Sequence, residues 1–145
     1  MMLHRTLDAV MPEFRAIFSR FNLTEQQWRV LRVLWESDGL TLLDLSRQTL
    51  IPGPSLVGVI DRLERDQLVQ RHRSTEDRRK VHIHTTPEGL TLQQEVSPLV
   101  EEVSTRLKDR LSVEAWQAML TTLDQLVRDI QADGVESKAL PNKEV

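Results

Sequence analysis

Between Thr41 and Thr86 the chain reads TLLDLSRQTL IPGPSLVGVI DRLERDQLVQ RHRSTEDRRK VHIHTT, and the signals packed into it leave few folds open. Thr41 followed by Asp44 is a capping-box pattern that starts a short helix. IPGP then breaks the chain, and Pro54 in the first turn opens a second helix whose Leu56, Ile60 and Leu63 face inward. Two segments that alternate as strands do come next, Val69 to Arg73 and Val81 to Thr85. In the second, Val81 and Ile83 share one face while His82 and His84 share the other. The tip that joins the strands, TEDRRK, sets three adjacent cations on a turn.

Two short helices followed by a two-stranded hairpin make a winged helix-turn-helix. The helix PSLVGVIDRLERD is slim enough for a DNA major groove of about 12 Å, and an arginine on a thin hairpin tip enters a minor groove of about 6 Å.

The flanks are helical. Leu3, Leu7, Val10, Phe14, Ile17, Phe18 and Phe21 recur at the spacing that puts one stripe on a helix, with Pro12 as a kink or as its true start. Thr24 and Gln27 form another capping box, ahead of a helix that buries Trp28, Leu31, Leu34 and Trp35 and ends at Ser37, Asp38 and Gly39. Pro87 and Glu88 launch a long helix carrying Leu92, Val96, Leu99, Val100, Val103, Leu107 and Leu111, bent at Pro98. Ser112 caps a last helix with Val113, Trp116, Met119, Leu120, Leu123, Leu126, Val127 and Ile130 on one stripe, and the tail after Gly134 lacks periodicity and reads as disordered.

The expected fold class is therefore mainly α with a small β-hairpin, a winged helix-turn-helix flanked by N- and C-terminal dimerisation helices. Its divisions are 1–36 for the N-terminal helices, 37–86 for the DNA-binding region, 87–133 for the C-terminal helices and 134–145 for the tail. The terminal helices are too apolar to project alone, which points to a twofold homodimer; an ordinary monomeric helical core is the other reading.

Composition narrows the function classes. A chain of 145 residues, 39% hydrophobic, fits one domain with a helical extension and leaves little room for a catalytic domain. No run approaches the ~18 apolar residues of a membrane span and no export signal is apparent, so a cytoplasmic protein is expected. Without cysteine there is no disulfide, thiolate metal site or thiol switch. The net charge of -3 hides a cluster of cations between Arg62 and Lys80, namely Arg62, Arg65, Arg71, Arg73, Arg78, Arg79 and Lys80, while Glu95, Glu101, Glu102, Asp109 and Glu114 load the later helices. A solvated charged face is the alternative reading of that cluster.

No glycine-rich phosphate loop, cysteine nucleophile or serine elbow is present, and the adjacent Glu101 and Glu102 diverge, so neither catalytic residues nor a cofactor are expected. His72, His82 and His84 could offer three imidazoles to zinc or copper. A solvent-facing strand without an acidic or sulfur ligand is a poor metal cage, however, and no metal is assigned.

The order of these elements and their motifs resemble the MarR family of bacterial transcription regulators, over roughly Leu7 to Ile130. The most specific piece is DRRKVHIHTTPEG, Asp77 to Gly89, supported by PSLVGVIDRLERDQLV, Pro54 to Val69. FRAIFSRFNLTEQQWRVLRVL, Phe14 to Leu34, is similar to the branch that controls aromatic-acid catabolism. The resemblance implies a ligand-responsive regulator, usually a repressor, that small aromatic carboxylic acids release from a palindromic double-stranded operator. A winged-helix module for protein contact or global regulation, without an effector, is the competing class.

Within that resemblance Asp77 and Arg79, which flank one residue, brace the wing tip and leave Arg78 to probe the minor groove. Pro54, Ser55, Val57, Gly58, Asp61 and Arg62 lie away from the buried side of the recognition helix, Arg62 and Arg65 hold phosphates, and Arg73, Arg79 and Lys80 complete the DNA-facing set. Gly53 and Gly58 depart from larger or cationic residues in relatives, which leaves direct base contacts few, and Thr85 stands where an apolar residue is usual. For the effector, Arg15 and Arg20 on the first helix with Trp28 and Arg32 on the second provide planar cations and an aromatic wall. Each arginine also reads as a surface residue, and Trp28 as core.

Overall fold

The computed structural model describes residues 1–77 and 79–137, the side chains of 134–137 excepted. The elements run α1 (Met2–Arg20), α2 (Glu25–Glu36), β1 (Leu40–Thr41), α3 (Leu42–Thr49), α4 (Gly53–Arg65), β2 (Val69–Arg73), β3 (Val81–Thr85), α5 (Pro87–Lys108) and α6 (Val113–Ser137).

Both capping boxes form. The Thr24 hydroxyl accepts from Gln27 N–H while the Gln27 side chain accepts from Thr24 N–H, and Thr41 and Asp44 exchange the same pair of bonds at α3. Hydrogen bonds from the side chain and backbone of Thr41 hold the Asp44 carboxyl below its ordinary range. Pro52 is the residue before α4, so Pro54 falls just after its first residue, Gly53. Pro12 and Pro98 both sit inside continuous helices, and neither ends one.

The wing is more than a hairpin. The strands form a three-stranded antiparallel sheet in the order β1-β3-β2, with Leu40 opposite Ile83, and His72 opposite His82. The expected β2–β3 hairpin forms, and the two residues of β1 that join it are too few to show the alternation that marks a strand.

The chain divides into two compact units, Met1–Val103 and Ser104–Val145. The core of the first unit gathers Phe18, Val30, Leu31, Leu34, Leu45, Ile51, Leu56, Ile60, Leu63, Val69 and Ile83, contributed by α1 to α4 and the sheet. Trp28 and Trp35 pack against this cluster half-buried instead of inside it. In the second unit α6 begins on Ser112, whose hydroxyl accepts from Ala115 N–H, and exposes Leu120, Leu123, Leu126, Val127 and Ile130. The helix runs through Gly134 to Ser137, because one glycine costs a helix only about 1 kcal/mol. The remainder of the expected tail lies outside the described residues.

Candidate nucleic-acid interface

On α4 the buried side is Leu56, Val59, Ile60 and Leu63, and the opposite side exposes Pro54, Ser55, Val57, Asp61, Arg62 and Arg65, with Gly58 half-buried. A Cβ at Gly53 would meet nothing within 4 Å, and one at Gly58 would only reach the Arg62 guanidinium at 4.0 Å. Both are open surface positions. Asp61, counted among the DNA-facing residues, is exposed and pairs its carboxylate with Arg71 on β2, 2.6 Å away. Arg71 also pairs with Glu64 through its guanidinium, and its backbone N–H donates to the same carboxylate at 3.2 Å. Partial burial opposes the charge on Arg71, but its bonds to Asp61 and Glu64 outweigh that and raise its pKa.

Asp77 and Arg79 meet at the wing tip through a backbone bond. The Asp77 carboxylate accepts from the backbone N–H of Arg79 at 3.0 Å. Three further bonds hold the turn: the Ser74 hydroxyl accepts from Glu76 and Asp77 N–H at 3.2 Å each, and the Asp77 carbonyl accepts from Lys80 N–H at 2.9 Å. An aspartate closing on the backbone two residues later is a local turn that competes with longer-range pairing. Arg73, Arg79 and Lys80 are exposed, and Arg79 and Lys80 border a cleft with Thr41, Leu42 and Leu43 at the start of α3. Arg78 lies outside the described residues.

His82 and His84 are half-buried and hydrogen-bonded, while His72 is exposed. His82 Nδ1–H donates to the Gly39 carbonyl at 2.8 Å, His84 Nδ1–H donates to Asp38 at 2.8 Å, and the His72 ring lies 4.9 Å from that of His84. Among the described residues no three His, Cys, Asp or Glu side chains converge as metal ligands would. Asp38 also accepts from Thr85 N–H at 2.7 Å, and Gly39 N–H donates to Ile83 carbonyl at 3.1 Å, so the turn after α2 is latched to β3. Thr85, the departure from an apolar residue, thus joins this latch through its backbone.

Burial raises the Asp38 carboxyl, but the Thr85 N–H and the bond and charge of His84 outweigh it and leave its pKa below the ordinary value. A depressed carboxyl pKa adds stability that is present above its unfolded value, about 3.9, and fades as pH falls through the folded value. Melting temperatures between about pH 2 and pH 7 are therefore expected to fall more steeply in the wild type than in Asp38→Asn, with the divergence confined to the acid end. Parallel curves would remove Asp38 from the acid response.

On the effector side, Trp28 stacks on Phe18 at 5.1 Å between ring centroids and meets Trp35 edge-on at 5.5 Å, and Phe14 extends the row from α1. Arg15 is drawn toward α2 by Glu25 at 3.5 Å, while Arg32, one turn beyond Trp28, and Arg20 are exposed. Glu25, Phe14 and Trp35 had no separate marker in the sequence, since each is also a good residue for an amphipathic helix surface or core.

A family model described as MarR family matches residues 23–81. The homoprotocatechuate degradative operon repressor of Escherichia coli is 38% identical over 120 residues, covering 83% of this chain and 81% of that protein. The chain belongs to the MarR family. Among solved structures, NadR in complex with 4-hydroxyphenylacetate is 35% identical, covering 86% of this chain and 89% of that one at a TM-score of 0.78. The transcriptional repressor CouR, bound to a 23-mer DNA duplex, is 27% identical over 86% of this chain and 89% of its own at a TM-score of 0.79. The relatives of this MarR-family chain are named as regulators and not as enzymes, and it is a transcriptional regulator of winged-helix fold. No described helix of it is long and apolar enough to cross a membrane.

Proposed function

We propose that this MarR-family regulator is a cytoplasmic, dimeric repressor of an operon for aromatic or N-heteroaromatic acid catabolism, released from its operator by a small aromatic carboxylate. The observation that carries the effector half is the half-buried Trp28, stacked on Phe18 and edge-on to Trp35, with Arg32 one turn away and Arg15 of α1 paired to Glu25 at the start of α2. A ring-sized ligand needs an aromatic wall, and its carboxylate needs a planar cation. Arg15, Arg20, Trp28 and Arg32 are assigned to that role. The Escherichia coli relative named for the homoprotocatechuate operon and the NadR complex with 4-hydroxyphenylacetate support the same ligand class.

For DNA, the CouR complex with a 23-mer duplex supports duplex binding, and the winged-helix geometry assigns α4 to the major groove and the wing to the minor groove. Arg78 enters the minor groove from a tip held by Ser74 and Asp77. Pro54, Ser55, Val57 and Gly58 face bases, and Arg62, Arg65, Arg73, Arg79 and Lys80 hold phosphates. The two α4 helices of a homodimer read half-sites about 34 Å apart.

A labelled promoter duplex titrated with benzoate, 4-hydroxyphenylacetate, protocatechuate and 6-hydroxynicotinate, with tryptophan fluorescence followed in parallel, tests this function. At least one acid is expected to weaken DNA binding ~100-fold, a coupling of about 2.8 kcal/mol, and Arg32→Ala is expected to abolish the response. If no aromatic acid moves either signal, the effector assignment is wrong and the module without an effector takes its place.

A further inference from the structure

We infer that Arg71 is a positioning residue for DNA recognition, acting through Asp61 and Glu64 by covering two carboxylates that the recognition helix would otherwise present to the phosphates. The inference rests on the DNA-binding reading of α4 and the wing. By sequence Arg71 is one more cation in a basic stretch, but the structure takes it out of that stretch. Its guanidinium spans Asp61 and Glu64, its backbone N–H adds a bond to Glu64, and its side chain is only 27% exposed.

Asp61 stands one helical turn after Val57 and Gly58 and one turn before Arg65, so it shares the exposed side assigned to DNA. Duplex DNA carries a negative charge about every 1.7 Å of its axis, and an uncompensated carboxylate on that side opposes docking. Charge-assisted bonds from one guanidinium to both carboxylates cancel much of this field, and partial burial limits how far salt screens the pair. The position of Arg71 is set by the sheet, where it lies opposite the buried Ile83. The cover is therefore fixed by the core and does not depend on a flexible surface encounter.

The masking works in both directions. A free cation at this place would add a phosphate contact that carries no sequence information, and raise affinity for any duplex. Asp61 and Glu64 thus keep Arg71 from contributing to non-specific binding.

Operator and random duplexes are titrated over a range of salt with the full-length wild type, Arg71→Gln, the double variant D61N/E64Q and the triple variant D61N/E64Q with Arg71→Gln. Arg71→Gln is expected to weaken operator binding about tenfold without the loss of about one unit of salt slope that removing a phosphate contact produces. The double variant, which retains Arg71, is expected to bind random duplex about tenfold more tightly, narrowing the operator-to-random ratio. The triple variant, with neither carboxylate nor guanidinium, returns to within about threefold of wild-type operator affinity. Wild-type operator affinity in Arg71→Gln, a triple variant as weak as Arg71→Gln, or unchanged random binding in the double variant overturns the inference while leaving the DNA-binding reading intact. A wild type that binds no duplex overturns that reading instead, and the inference with it.

Discussion

Replacing Leu123 and Leu126 together with glutamate is expected to yield a folded monomer that binds operator DNA at least about a hundredfold more weakly. Leu120, Leu123, Leu126, Val127 and Ile130 of α6 are exposed and recur at three- and four-residue spacing, which places them on one stripe. On α1, Leu3 and Leu7 are exposed as well. Such stripes on two terminal helices resemble the cut face of an obligate interface, and two charges desolvated there are costly to bury. A palindromic operator is held by two recognition helices at once, and losing one arm removes an effective-concentration advantage of 10²–10⁴ or so. Sedimentation velocity and fluorescence anisotropy on the same samples check both halves. A variant that remains dimeric, or a monomer with undiminished affinity, removes the terminal helices from the interface.

Gly89→Ala is expected to destabilise the fold by about 3 kcal/mol or more, seen as a midpoint shift in chemical denaturation. A Cβ at Gly89 would lie 2.3 Å from the Leu68 carbonyl oxygen and 2.7 Å from Thr85 Cγ2. Neither neighbour yields easily. The Leu68 carbonyl accepts from Thr86 N–H at 3.1 Å, and the Thr86 hydroxyl donates to the Gln67 carbonyl at 2.5 Å while accepting from Gly89 N–H at 3.0 Å. The first turn of α5 is thus fastened to the turn between α4 and β2, where Gln67 already holds a left-handed conformation with φ 59°. Gly58→Ala is the internal contrast: its Cβ meets open space, and the gain in helix propensity makes it neutral to stabilising by up to about 1 kcal/mol. A loss below about 1 kcal/mol at Gly89 would mean that α5 can slide away from Leu68.

The helices were legible because each carries an end signal and a repeating apolar stripe. Thr24 with Gln27, Thr41 with Asp44, and Ser112 are local, and local hydrogen bonds are written in short words of sequence. Contacts that join distant segments had no such mark. Asp38 meets Thr85 and His84 across more than forty residues of chain, and it read only as the end of α2. The same blindness turned Asp61 and Arg71 into two surface charges and made β1 invisible, since a two-residue strand exists only by virtue of its partner β3. At the wing, the spacing of Asp77 and Arg79 pointed to a contact within the turn, and the bond between them runs from the backbone amide of Arg79.

The latch between the turn after α2 and β3 also makes a helix into a lever. At its amino end α2 carries Trp28 in the aromatic row; at its carboxyl end Asp38 and Gly39 grip the sheet from which the wing extends. With 12 residues α2 is about 18 Å long, and tilting it by roughly 5° about one end carries the other end about 1.6 Å. A hydrogen bond to DNA does not survive a shift of that size. Under the effector assignment proposed above, a ring beside Trp28 would have no need to reach the DNA, since a small change of angle there would arrive at the wing as a lost contact.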